Sequence, residues 1–288
     1  MRMILAALAF LALAACARAP ERVGEAPRRI VSLDYCADQY VLRFARREEI
    51  LALSPHARDR YSYLRDQARG LPRIRPRTAD VLALRPTHVV RSYGGGPNVS
   101  GFMERAGIEV VQLGFPGTIA DVRAEVLRVG GALGGREAAR GVAGQMDRRL
   151  AALARESRER PATLYMTPAG VTAGEGTLVH ELLRAAGLAN FQERGGWNPI
   201  PLERLAYERP DLVAAAAFFG SGSEQVDRWS AARHPVAQAQ LTELPVVPLE
   251  GAWTSCGGWF LLDAIEALAR AGRAKGPAGE AGEAARGE

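Results

Sequence analysis

Three observations predict an α/β protein of two similar lobes, each built on a mainly parallel central sheet flanked by helices, the two joined by one long interdomain helix. Short apolar strands alternate with helical segments through the first part of the chain, the order that builds parallel sheets. A long Ala-, Arg- and Leu-rich stretch at helical spacing then breaks the alternation, which restarts after Pro161. A short amphipathic helix, an Arg-Pro stop and a strand occur in each half. The first copy is Ala79-Asp80-Val81-Leu82-Ala83-Leu84-Arg85-Pro86-Thr87-His88-Val89-Val90, and the second is Glu203-Arg204-Leu205-Ala206-Tyr207-Glu208-Arg209-Pro210-Asp211-Leu212-Val213.

In chain order, Arg29-Ile30-Val31-Ser32-Leu33 reads as the first strand. Asp34 follows at a helix N-cap, before a periodic run through Tyr40, Val41, Leu42 and Phe44. Residues 50–53 form a second strand, residues 79–84 a helix closed by Arg85-Pro86, and residues 87–90 the next strand. A helix over 102–106 stops at Gly107, and residues 108–113 return as a strand. Residues 119–159 are helical, interrupted by Gly130-Gly131 and Gly134-Gly135. Their second part, 136–158, predicts a helix of roughly 35 Å. In the second half, strands fall at 162–166, 211–215 and 245–249, and helices at 178–186, 202–208 and 258–271.

The start of the chain carries processing signals. Arg2 precedes a charge-free apolar run of about 13 residues, the length of a signal-peptide core and short for a membrane span. Leu13-Ala14-Ala15-Cys16 resembles the lipobox of bacterial lipoproteins, which implies cleavage before Cys16 and its lipidation; ordinary secretion with cleavage after Ala19 is the alternative. The predicted organisation is a signal peptide over 1–15, a tether over 16–27, an N-terminal lobe over 28–118, a connecting helical segment over 119–160, a C-terminal lobe over 161–272 and a disordered tail over 273–288.

Composition sets limits on function. The 288 residues are 48% hydrophobic and 24% charged, those of a folded protein with a sizeable core. The net charge of +5 is spread along the chain, not gathered in the basic stripe a nucleic acid needs. A GxSxG elbow, an HExxH pair, a phosphate loop and a dinucleotide fingerprint are all missing, so an enzyme is not predicted. His56, His88, His180 and His234 have no metal-ligand spacing.

With these features in order, the chain resembles the periplasmic binding proteins of the cobalamin and iron-siderophore importer family. The resemblance rests on the opening strand, the two helix-Pro-strand repeats, the long central helix and Gly187-Leu188-Ala189-Asn190, similar to a Gly-x-x-Asn turn of that family's second lobe. It implies an extracytoplasmic substrate-binding component, periplasmic and anchored to a membrane by lipid. Such a protein is a monomer without a cofactor, taking cobalamin or a ferric siderophore between two rigid lobes and delivering it to an inner-membrane ABC permease. Heme is the alternative cargo, with a Tyr or His as its ligand; an adaptor or an enzyme with an unrecognised site are the alternatives outside the binding class.

The ligand would meet loops at the strand ends facing the cleft. Aromatic walls suit the wide apolar faces of such chelates, and arginines suit their anionic edges. Tyr35, Tyr61, Tyr63, Tyr93, Trp197 and Trp253 are the candidate walls, and Arg73, Arg75 and Arg91 the candidate edge groups. The resemblance also implies permease docking through one acidic residue on each lobe. Glu203 stands at the matching position of the second lobe; in the first the position holds Ala79, with Asp80 beside it. Cys36 and Cys256 each follow a predicted strand. Isolated thiols are the first reading, a disulfide the second and thiolate ligation of a metal the third.

Overall fold

The computed structural model describes residues 27–154, 160–217 and 230–274. Cys16, the signal and tether segments, and all but the start of the tail lie outside them. Two four-stranded parallel sheets organise these residues. The first holds β1 (Ile30–Ser32), β2 (Ile50–Ala52), β3 (His88–Arg91) and β4 (Glu109–Gln112) in the order β2-β1-β3-β4. The second holds β5 (Ala162–Met166), β7 (Ala189–Asn190), β9 (Leu212–Ala217) and β10 (Val246–Glu250) in the order β10-β9-β5-β7. Between β5 and β9 in sequence, β6 (Val171–Ala173) and β8 (Trp197–Pro199) form an antiparallel pair.

Seven helices flank the two sheets: α1 (Tyr35–Phe44), α2 (Thr78–Ala83) and α3 (Val99–Arg105) in the first lobe, and α6 (Leu178–Ala185), α7 (Leu202–Leu205), α8 (Pro235–Glu243) and α9 (Gly251–Thr254) in the second. A final helix, α10, runs over Leu261–Ala274. Buried Ile30, Val31, Val89 and Val90 lie on adjacent strands of the first sheet, as parallel strands covered on both faces require. The starts of three helices are fixed by side chains: Asp34 accepts from the Ala37 amide, Thr118 from that of Asp121, and Thr177 from that of His180.

The central segment is two helices, α4 (Ile119–Ala132) and α5 (Arg136–Ala154), packed on each other and turning at Leu133–Gly135. The glycines that interrupt the sequence serve this packing. A Cβ on Gly130 would lie 2.4 Å from that of Ala139, so only glycine allows the two helices this approach. The 19 residues of α5 span about 28 Å. The helix touches α1 of the first lobe and α6 and α10 of the second. Residues 155–159, in which the predicted helix ends, lie outside the described set.

The largest core runs without a break from Ile30, Tyr40 and Phe44 through Val122, Val126 and Met146 to Tyr165, Leu182 and Ile265. The two lobes therefore share one interior, with a smaller core under the outer face of each sheet.

Candidate functional site

In parallel sheets, ligands gather at the carboxyl ends of the strands. In the first lobe this edge is organised by one carboxylate. Asp34, 3% exposed, follows β1; its Oδ1 caps α1, and its Oδ2 accepts from the backbone amides of Ser92 (2.7 Å), Tyr93 (3.1 Å) and Gly94 (2.9 Å). The loop after β3 is thus drawn against the start of α1. Gly94 is required there, because a Cβ would lie 2.3 Å from the Leu33 carbonyl oxygen. Read from sequence, Asp34 is only a helix cap; its second role depends on residues 58 to 60 positions away.

The result is a cluster of three tyrosines. The ring of Tyr35 lies 4.8 Å from that of Tyr61 and 5.9 Å from that of Tyr93, both edge-on. Burial pushes the Tyr35 and Tyr93 hydroxyls above the ordinary phenol range. Tyr61 donates to Asp59 Oδ2 at 2.8 Å, and His56 Nδ1 lies 2.8 Å from the same oxygen. Burial, then the Asp59 carboxylate, pushes the Tyr61 hydroxyl up. Tyr93 remains 50% exposed, so the cluster has an open face.

Other predicted wall and edge residues have different surroundings. Tyr63 stacks on Phe260 at 4.9 Å and donates to Asp263 Oδ2 at 2.7 Å, so its hydroxyl and one ring face are used between the lobes. Burial, then Asp263, pushes that hydroxyl up to about 12. Arg91 is 7% exposed and turned into its own lobe, donating to Ser100 Oγ and the Gly96 carbonyl; it braces the glycine loop and is withdrawn as an edge group. Arg73 is exposed and donates to the Pro55 carbonyl, near Asp59. Trp253 is half-buried on α9 against the main core. Trp197, 59% exposed on β8, touches Tyr165 at 6.3 Å.

Cys36 and Cys256 are bonded to each other, with Cα atoms 5.6 Å apart, across 220 residues of sequence. The expectation of isolated thiols is corrected, and neither sulfur is a free thiolate for a metal. Each cysteine leaves the carboxyl end of a strand, one per sheet, and the converging edges bring them into range. The bond heads a seam between the lobes. Tyr40 donates to the Gly257 carbonyl at 3.0 Å, and the Trp259 ring meets Tyr40 and Phe44 at 5.5 Å. Asp263 joins three parts of the molecule, accepting from Tyr63 on one oxygen and Arg149 of α5 on the other.

Among the described residues, the second lobe presents a cavity lined mostly by small and aliphatic side chains. A cavity of about 570 Å³ opens at the ends of β5 and β9, lined by Met166, Thr167, Pro168, Ala215 and Ala216, with Arg233 and Gln238 at its side. The predicted loop residues Phe218 and Phe219 lie outside the described residues. Asn190 of the Gly-Leu-Ala-Asn turn donates to the Ala173 carbonyl, tying β7 to the β6–β8 hairpin. Asp80 on α2 and Glu203 on α7 are both exposed. Among the described residues, no group of three or more His, Cys, Asp or Glu side chains is placed to hold a metal ion, and no helix is long and apolar enough to cross a membrane.

A family model described as periplasmic binding protein matches residues 30–228, and the chain belongs to that family. Among solved structures, the periplasmic heme-binding protein of Roseiflexus sp. RS-1 is 22% identical, with a TM-score of 0.65 over 85% of this chain and 99% of its own. A periplasmic heme-binding protein from Pseudomonas aeruginosa is 22% identical, with a TM-score of 0.65 over 86% and 94%. The periplasmic vitamin B12-binding protein of Vibrio cholerae is 16% identical, with a TM-score of 0.62 over 86% and 97%. These likenesses establish a common fold. No curated protein matches the chain in sequence.

Proposed function

We propose that this member of the periplasmic binding protein family is the extracytoplasmic substrate-binding component of an ABC importer, and that it captures a metal chelate between its lobes. The carrying observation is the tyrosine cluster Tyr35, Tyr61 and Tyr93 at the carboxyl edge of the first sheet, with the Tyr93 loop anchored by Asp34. Rings give such a ligand an apolar wall, and phenol oxygens give ferric iron a hard donor. Trp197 supplies an aromatic surface on the other lobe, and Arg73 an exposed cation near Asp59.

Within the chelate class, heme is favoured over cobalamin or a siderophore by the same hydroxyls. A half-buried phenol with a raised pKa stays protonated until a metal displaces the proton, so uptake of ferric heme by Tyr35 or Tyr93 would release a proton. The heme-binding names of two of the structural relatives agree with this choice. Catalysis has no part in the proposal. Cys16 would carry a lipid anchor to the membrane, Asp80 and Glu203 would meet the permease, and the protein would act as a monomer in the periplasm.

The test is a titration of the purified protein with hemin, aquocobalamin and a panel of ferric siderophores, followed by tryptophan fluorescence and ligand absorbance. Saturable submicromolar binding of one of them supports the proposal and names the cargo. Silence with all of them, by calorimetry as well, defeats it.

A further inference from the structure

The first sheet runs β2-β1-β3-β4, and the tyrosines follow that order: Tyr61 in the connection leaving β2, Tyr35 just after β1, and Tyr93 just after β3. The loop leaving β4 also carries an aromatic, Phe115, 83% exposed and the one phenylalanine left so open among the described residues. Its exposure is not that of a loose loop. On one side the Gly114 amide donates to Glu125 Oε1 at 2.8 Å, and that carboxylate is itself paired with Arg128. On the other, the Gly117 and Thr118 amides donate to Asp121. Pro116 packs so closely on Gly257, beside the disulfide, that a Cβ there would lie 2.3 Å from the proline ring.

The β4 loop is also tied to its neighbour. Gln112 Nε2 donates to the Ser92 carbonyl at 2.7 Å, next to Tyr93, and the Leu113 amide continues the ladder to the Arg91 carbonyl. The fold therefore fixes the backbone on both sides of Phe115, locks it to the Tyr93 loop, and leaves the apolar ring in solvent. A large exposed apolar side chain on a fixed loop marks a binding contact more than a packing residue.

We propose that Phe115 is a fourth ligand-contacting ring, completing an aromatic row with one member from the connection after each strand of the first sheet, and that this row selects a wide planar macrocycle over a small chelate. The inference rests on the chelate-binding reading above. Four neighbouring strands set the length of the row at about 14 Å, a span that a tetrapyrrole covers and a compact chelate such as ferric citrate does not. The hydroxyl-bearing rings belong to the connections that follow three of the strands, and the apolar ring to the connection that follows the fourth. A ligand lying along the row would place its metal near the tyrosines and an apolar edge on Phe115.

The test compares hemin and ferric citrate binding to the wild-type protein, Phe115→Ala and Phe115→Leu. The expected result is a loss of about tenfold in hemin affinity for F115A, partial recovery in F115L and unchanged binding of ferric citrate if it binds at all. Thermal melting verifies that both variants fold; Phe115 is already 83% exposed, so little packing is lost with its ring. Wild-type hemin affinity in both variants overturns the proposal while leaving the chelate-binding reading intact. Failure of the wild-type protein to bind hemin overturns this proposal, while the chelate-binding reading falls only if cobalamin and the ferric siderophores are silent as well.

Discussion

The two lobes share a topology of four parallel strands but differ at the carboxyl ends of those strands. The first lobe builds its carboxyl edge from rings whose loops are pinned by buried carboxylates and an amide: Asp34 on the Tyr93 loop, Asp38 on Ser54 and Gln112 on Ser92. The second builds its edge from small residues. Strand β9 reads Leu-Val-Ala-Ala-Ala-Ala, and its Ala215 and Ala216 line a cavity. Among the described residues, one lobe presents a cluster of phenol hydroxyls and the other a cavity between small side chains. Polar pinning of this kind is costly to disturb, because each pinned amide becomes a buried unpaired donor once its acceptor is removed.

This contrast can be broken at several points. The largest effect is expected where the lobes are covalently joined. Replacing Cys36 and Cys256 with serine frees a loop of 220 residues and should lower unfolding free energy by about 5 kcal/mol on the chain-entropy account. Urea denaturation with and without reductant would measure it, and a change under about 1 kcal/mol would mean that the seam of Tyr40, Tyr63 and Trp259 holds the lobes unaided. Next, Asp34→Ala removes a helix cap and the acceptor of three amides, for an expected loss of about 4 kcal/mol. The same denaturation curve would report it, together with increased hydrogen exchange at residues 92–94.

A smaller, pH-dependent effect is expected at Asp38. Burial raises its carboxyl from the ordinary 3.8 to about 6, against the hydrogen bonds from Ser54 that lower it. A carboxyl raised by folding binds its proton more tightly in the folded state. Its contribution is therefore full below pH 3.8 and is lost as pH rises through 6. Asp38→Asn, which cannot ionise, should gain stability relative to the wild type between pH 4 and 7, by up to about 3 kcal/mol. A flat difference across that range would show that Asp38 is not held up by burial. The smallest effect is expected in the second lobe: Trp197→Ala, at an exposed ring, should change stability by less than about 0.5 kcal/mol while weakening ligand binding.

Much of the architecture was legible in sequence, because strands and helices that face a core carry periodic apolar residues. The strand predicted at residues 29–33 is β1, and that at 162–166 is β5. The β6–β8 hairpin was not legible: its strands are three residues each, too short for a period, and pair across an intervening helix and strand. Helix α8 was missed for a related reason, its apolar residues being spread around it with few contrasts. At the site, residue type pointed to tyrosines, but the separation of Tyr35, Tyr61 and Tyr93 from Tyr63 came only from the fold. Tyr63 is two residues from Tyr61, yet its hydroxyl turns to Asp263 in the other lobe. The same limit applied to Cys36 and Cys256, whose pairing depends on two sheet edges converging.

The central claim is that the first lobe supplies the chemistry of ligand capture and the second mainly room. It is tested most directly by titrating hemin into the wild-type protein, the double variant Tyr35→Phe with Tyr93→Phe, and Trp197→Ala, reading heme absorbance and affinity together. The account predicts that the double variant loses at least about tenfold in affinity and alters the heme spectrum, while Trp197→Ala loses less and keeps it. Wild-type affinity and spectrum in the double variant, with the larger loss in Trp197→Ala, would contradict the account and move the ligating chemistry to the second lobe.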